Sequence, residues 1–193
     1  MKSKVTTGKG DAGNTKALDG DAFGKNHPMM EAVGTLDMLR AQTALLRLQL
    51  QEQYPGELPE INFLLYLSHL YFLIGTTISD PYIRKPEWRR GEIRKEHLLR
   101  LEEEQERLES ELNLPQSFIV SATDMVAAQA DITAVCARTF ERRFVAFSEA
   151  TPDFYMPVCL AFVNRLSDYF FVLGRHLEHG RHQPVNYGLL EDA

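Results

Sequence analysis

The stretch TTGKGDAGNT, Thr6 to Thr15, crowds three glycines, a lysine, an aspartate and an asparagine ahead of any apolar periodicity. Glycines let a backbone approach an anion closely, amide groups and Lys9 supply donors, and Thr7 and Thr15 add hydroxyls. The chemistry this composition suits is the holding of phosphate oxygens, although a plain turn has the same make-up. The spacing is not that of a Walker A loop, which requires GKS or GKT four residues after its first glycine. From Met1 to His27 the chain carries Lys2, Lys4, Lys9, Lys16 and Lys25 against Asp11, Asp19 and Asp21, a locally basic start suited to a small anionic ligand.

A second group of polar residues lies near the other end of the chain, in VCLAFVNRLSDYFFVLGRHL. Asn164, Asp168 and Arg175 stand at i, i+4 and i+11, within about 40° of one another on a 100° wheel, in a segment otherwise apolar nearly all round. Buried charge must be paired or ligand-bound. An Asp168–Arg175 or Asp168–Arg165 bridge that sets helix register and a ligand site both satisfy that demand. In the preceding apolar segment, Ile132, Val135, Cys136, Phe140 and Phe147 share one side of the wheel. Ala134, Arg138, Glu141 and Arg142 share the other, and Arg143 falls inside the apolar arc. His176, His179 and His182 follow at intervals of three; such spacing suits a metal, but cations complementing a helix C-terminus explain it more simply, and no metal ligand is assigned. His27, His69 and His97 stand alone.

The elements that must position these residues are helical. Apolar residues recur at helical spacing from about Met30 to Gln53, Ile61 to Ser79, Glu92 to Leu112, Thr123 to Glu149 and Pro157 to His179, with Gly180 as a cap. Val33, Leu36, Leu39, Ala44 and Leu48 mark the first helix; Leu98, Leu101, Leu108 and Leu112 form a stripe on the third, whose remaining charges face water. YPGELPE, DPY, IRKPEWRRG and NLPQS separate the helices, and no stretch reads as a sheet. The expected fold is all-α, a five-helix antiparallel bundle with a Gly-rich N-terminal loop, in one domain spanning residues 1–193. The 193 residues are 44% hydrophobic and 25% charged, ample for a core. A formal charge of -6 argues against nucleic acid or an anionic membrane as partner. The densest apolar run, MPVCLAFV, is far short of a membrane span, and the N-terminus lacks a signal-peptide core. Cys136 and Cys159, without CxxC spacing, read as reduced core thiols, which makes the expected location cytoplasmic.

Together these pieces resemble the ATP:cob(I)alamin adenosyltransferases of the propanediol-utilisation type, a family of trimeric five-helix bundles. Thr7, Gly10, Asp11, Gly13 and Thr15 resemble that family's nucleotide loop. Lys25, Glu31, Gly34, Thr35 and Asp37 resemble the next block, YFLIGTTIS a third, and Asn164, Arg165, Ser167 and Asp168 in NRLSDYFFVLGR the most specific one. The resemblance implies transfer of the 5′-deoxyadenosyl group of ATP to cob(I)alamin, with magnesium on the phosphates and a site built between subunits of a homotrimer. It implies that the loop with Lys9, Lys25, Glu141, Arg142, Asn164 and Asp168 holds ATP. Arg138 and Asp37 would serve the reaction, and Phe118 would press on the corrinoid face. There are departures. Gly8 stands where a basic residue is usual, Met38 and Arg40 stand in DMLR where the family has DELN, FIVSAT replaces FILPGG, and Ala134 and Thr139 replace two arginines of the stripe in the fourth helix. Those losses favour the alternative of a non-catalytic ATP- or corrinoid-binding relative.

Overall fold

The computed structural model describes residues 6–190 except 19, 55, 57 and 121; Lys2, Lys4 and Asp19 of the basic start lie outside the described residues. Proline at a first helical position, where its missing N–H costs nothing, starts three helices: α1 (Pro28–Gln53), α2 (Pro59–Ser79) and α5 (Pro157–Leu177). His27 caps α1 by accepting the Met29 N–H on Nδ1 at 3.2 Å. Asp124 caps α4 (Met125–Ala150) by accepting the Ala127 N–H at 2.9 Å. The other helix, α3, covers Lys95–Ser110 and starts later than its apolar pattern suggests. Ile93 is buried in extended chain ahead of it, and the Arg94 N–H is taken by His97 Nδ1 at 3.0 Å, which fixes the first turn there.

Across the bundle, neighbours run in the order α2, α1, α4, α5, α3. Arg107 of α3 pairs with Glu60 of α2, and the Arg100 guanidinium covers the Tyr66 ring at 3.9 Å, which closes the ring of helices. Contacts at both ends give the directions. Glu31 meets Arg143 and Gln42 meets Gln129, so α1 and α4 are antiparallel. Glu102 meets Arg165 and Glu111 meets His176, so α3 and α5 are parallel. Five helices that alternate in direction along the chain cannot close a ring without one parallel contact, and α3–α5 is that contact. The antiparallel bundle expected from the sequence holds for the other neighbours.

The centre is filled by apolar side chains from every helix, among them Leu39, Leu46, Leu64, Ile74, Leu101, Phe162, Phe170 and Leu173, all fully buried. Stacking of Phe140 on Phe144 and Phe144 on Phe147, with Phe154 edge-on to the last two, runs this core to the end of α4.

Four expectations need correction. The N-terminal loop contains a sheet, β1 (Asn14–Lys16) antiparallel to β2 (Ala22–Gly24), with Thr15 opposite Phe23. Its strands are three residues long and rich in weak strand formers, so no alternation announces them. On α4, Ile132 and Val135 were expected in the core and are 49% and 62% exposed, whereas Ala134, expected on the polar side, is buried. That helix packs against α1 and α5 on two flanks, which rotates its covered arc away from the most apolar direction of the wheel. Leu48 of α1 is also exposed. Finally, α2 has a window of mean hydropathy 1.5 and is long and apolar enough to cross a membrane by those measures, contrary to the sequence reading; half of that window is buried inside the bundle.

Candidate functional site

The Gly-rich segment folds into a tight, self-bonded loop. Asp11 N–H donates to the Gly8 carbonyl at 3.3 Å and Gly13 N–H to the Gly10 carbonyl at 3.2 Å, with Gly8 and Gly13 in the left-handed region at φ of 69° and 81°. The Lys25 N–H reaches back to the Gly13 carbonyl at 2.9 Å, so the end of β2 is laced to the loop. Gly10 has a packing reason as well: a Cβ there would stand 3.2 Å from Lys25 Cε and Nζ and 3.4 Å from the Asn14 carbonyl. The Lys25 ammonium therefore lies directly over the Gly10 backbone. Thr7, Lys9, Gly10 and Thr15, with Asn14, Lys16 and Ala22, line an open cavity of about 350 Å³. Asp11 and Gly13 belong to the same turns without lining it. Lys9 and Lys16 on the cavity wall, with the Lys25 ammonium over Gly10 beside it, give this end of the loop a positive charge suited to an anion.

A second cavity, about 570 Å³, opens between α3, α4 and α5 and is lined by Arg138, Ser167, Asp168, Ala134, Asp131 and Ile119 among others. Arg138 is exposed into it. Beside it Asn164 Nδ2 donates to Glu141 Oε1 at 2.7 Å, and exposed Arg142 donates to the Thr139 hydroxyl at 3.2 Å. The cluster is thus a cationic rim with a carboxylate floor. The two cavities share no lining residue.

Of the two bridges proposed for α5, the structure contains Arg165–Asp168, at 3.5 Å, with Arg165 also held by Glu102 at 3.1 Å. Asp168 does not pair with Arg175. That arginine, 2% exposed, donates to both carboxylate oxygens of Asp131 at 3.1 and 3.0 Å and lies 3.2 Å from fully buried Glu178. Asp131 and Glu178 were missed by the reading of the sequence. The i,i+3 spacing of Arg175 and Glu178 was a signal for one of them; nothing local pointed to Asp131. Of the histidine triplet, His176 lies between Glu60 and Glu111, and His182 beside Glu178. Among the described residues no three His, Cys, Asp or Glu side chains converge as a metal site.

Asp37 sits on the outer side of α1, away from both cavities, paired with Arg40 at 2.7 Å; the Arg40 guanidinium in turn covers the Phe72 ring at 4.1 Å. Glu31 at the start of the same helix pairs with Arg143 at 3.6 Å, which accounts for the cation inside the apolar arc. Phe118 lies in the connection between α3 and α4 and is 79% exposed. Cys136 and Cys159 are both free and buried, and burial pushes both thiols up, Cys159 to about 12 with Glu92 adding to the rise.

A ring of five helices carrying a lysine-flanked hairpin loop and a polar cavity between α4 and α5 defines a helical-bundle fold already seen in solved structures. A variant of the PduO-type ATP:corrinoid adenosyltransferase from Lactobacillus reuteri, complexed with cobalamin and ATP, superposes with a TM-score of 0.81, covering 95% of this chain and 99% of that one at 22% identity. Residues 5–177 match the family model described as cobalamin adenosyltransferase, and the chain belongs to that family. Its relatives include the corrinoid adenosyltransferase PduO of Citrobacter freundii, 31% identical over 179 residues, which cover 93% of this chain and 51% of that protein. A cobalamin adenosyltransferase of Cupriavidus metallidurans is 31% identical over 180 residues, covering 91% of this chain and 88% of that protein. The chain spans about half the length of the Citrobacter relative.

Proposed function

We propose that this protein is an ATP:corrinoid adenosyltransferase, acting as one domain over residues 1–193 in a cytoplasmic homotrimer. In the reaction the lone pair of cob(I)alamin attacks the 5′-carbon of ATP, a cobalt–carbon bond forms, and the carbon–oxygen bond breaks with its electron pair leaving on triphosphate. The corrinoid brings the nucleophile; the protein has to orient ATP and stabilise the charge that leaves. The loop of Thr7, Lys9, Gly10, Asp11, Gly13 and Thr15, with Lys25 above it, would hold the triphosphate. Arg138, Arg142, Asn164 and Glu141 would hold the remainder of ATP, and Asp168 would set Arg165. Phe118 would meet the corrinoid face and disfavour its lower ligand. Magnesium fits as an ion bound chiefly by phosphate oxygens, with Asp11 the nearest carboxylate in the loop.

The observation that carries this reading is the division of the polar residues between two cavities with no common wall. In this reading a nucleotide held by both lies between subunits, with the loop of one and the α4–α5 cavity of the next. The outer faces of α1 and α4 support the same conclusion. Met38, Leu45 and Leu48 are exposed along α1, and Met125, Ile132, Val135 and Val145 along α4. The reading is tested by mixing the protein with MgATP and reduced cobalamin and following formation of the alkylcobalamin spectrum, with light scattering for the mass. A monomer at micromolar concentration, or binding without alkylation, would overturn it.

A second reading, a binding protein without catalysis, is favoured by one feature. Ala134 is buried and Thr139 spends its hydroxyl on the Val135 carbonyl at 3.0 Å, so neither supplies a cation where the family has arginine. Binding of ATP and corrinoid by a trimer that never alkylates cobalt would establish it.

A further inference from the structure

Phe118 has almost no packing of its own, so whatever orients it must act through the backbone. Two hydrogen bonds do so. The Val185 N–H donates to the Phe118 carbonyl at 2.9 Å, and the Val120 N–H donates to the Gln183 carbonyl at 2.8 Å, with Ile119 facing Pro184 across an antiparallel bridge. Pro184 sits where the pairing asks for no donor, the one place in such a ladder that suits it. Because side chains alternate along extended chain, pairing that directs Ile119 into the cavity with Arg138 and Asp168 directs Phe118 the other way.

The segment after α5 is itself tied down. His182 lies with Nε2 3.4 Å from the Asn113 carbonyl and Nδ1 3.5 Å from Glu178 Oε2. Glu178 Oε1 accepts the Thr123 N–H at 2.7 Å, and Asp131 Oδ2 accepts the Ala122 N–H at 3.3 Å. Phe118 and Val120 are therefore held by residues 183–185, and Ala122 and Thr123 by the two carboxylates that Arg175 neutralises.

We propose that Gln183–Val185 is a positioning strap for Phe118: it fixes the direction in which the ring is presented to the corrinoid, and thereby sets how far the corrinoid loses its lower ligand. This rests on the reading of Phe118 given above.

The experiment compares the unmodified protein, Val185→Pro, Val185→Ala and Phe118→Ala. Val185→Pro removes the N–H that bonds Phe118 and keeps the chain length; Val185→Ala keeps the N–H. With cob(II)alamin and MgATP, electron paramagnetic resonance reads the fraction lacking the lower ligand. Calorimetry reads ATP affinity, and hydrogen exchange reads the Val120 and Val185 amides. The expected result is protection of both amides in the unmodified protein, a ligand-free fraction at least about threefold lower in Val185→Pro, and ATP affinity within about twofold. Val185→Ala should match the unmodified protein. Unprotected amides, or an unchanged fraction in Val185→Pro once protection of Val120 is lost, would overturn the strap. An unchanged fraction in Phe118→Ala alongside protected amides would instead remove the role of Phe118, and with it the purpose of a strap that nevertheless forms.

Discussion

Replacing Arg175 by methionine removes the guanidinium that bridges fully buried Glu178 and Asp131, leaving Glu178 with His182 at 3.5 Å as its remaining ion-pair partner among the described residues. Methionine fills much of the same space, so the change is chiefly electrostatic. Breaking a buried ion pair by deleting one partner costs about 3–5 kcal/mol, because the charge left behind has lost water and gained nothing. The cost falls on a region that also anchors the amides of Ala122 and Thr123, so the connection before α4 loosens with it. For a chain of this size about 3–5 kcal/mol corresponds to a drop in Tm of roughly 6–20 °C. Chemical and thermal unfolding followed by circular dichroism measures it. The triple variant Arg175→Met, Asp131→Asn, Glu178→Gln should recover at least about half of the loss, since neutral partners no longer require the cation. A loss below about 1 kcal/mol in the single variant, or no recovery in the triple, would refute the assignment of Arg175 as the neutralising centre of this end of the bundle.

Further outcomes follow from the same geometry. Lys9→Ala and Asn164→Ala should each weaken ATP binding by roughly 1–3 kcal/mol in calorimetry, while Lys95→Ala, exposed at the start of α3, should leave it unchanged. Ala134→Arg places a guanidinium in the cavity of about 570 Å³ beside Arg138 and Asp168, and single-turnover adenosylation should rise at least about tenfold. A fall in rate would mean that another residue has assumed the missing role, and Arg40, already paired with Asp37, is the first to test. Alkaline stability should reveal Cys159. The unfolded chain gives up that thiol proton near about 8.5, whereas burial holds the folded pKa at about 12. The folded state therefore binds more protons between those values, and stability should decline as pH rises through that window, by up to about 1.4 kcal/mol per unit from this thiol. Cys159→Ala should lessen the decline below about pH 10, where the Cys136 thiol, also raised by burial, still contributes and buried Tyr71 and Tyr169, both raised by burial, have not begun to.

The elements were legible because their causes are local. Pro28, Pro59 and Pro157 start helices at the first position that tolerates proline, Asp124 caps α4, and the 3.6-residue rhythm between those points is written in consecutive residues. The loop residues from Thr7 to Thr15 likewise fold through contacts two to four positions apart, and Lys25 joins them across a single hairpin. The apolar stripe of α3 extends back to Ile93 and so suggests an earlier start, while the signal that sets the start, a histidine accepting the Arg94 N–H, depends on one side-chain orientation.

By itself, then, the sequence determined five helices, a glycine-rich N-terminal loop, and the family to which the chain belongs. The tertiary structure decided how the polar residues are shared out. A helical wheel gives directions about a helix's own axis and says nothing of which flanks its neighbours cover. Ile132 could therefore face water while Ala134 faces the core. Partners far apart in the chain are invisible to any local pattern: Arg175 passes over Asp168, seven residues away on its own helix, and takes Asp131, 44 residues earlier, because packing brings α4 against that side of α5. The ring closure that makes α3 and α5 parallel, and the pairing of Val185 with Phe118, are of the same kind. Each is set by where whole helices lie after the core has formed, since burial is non-directional and leaves the choice among polar partners to the geometry it creates.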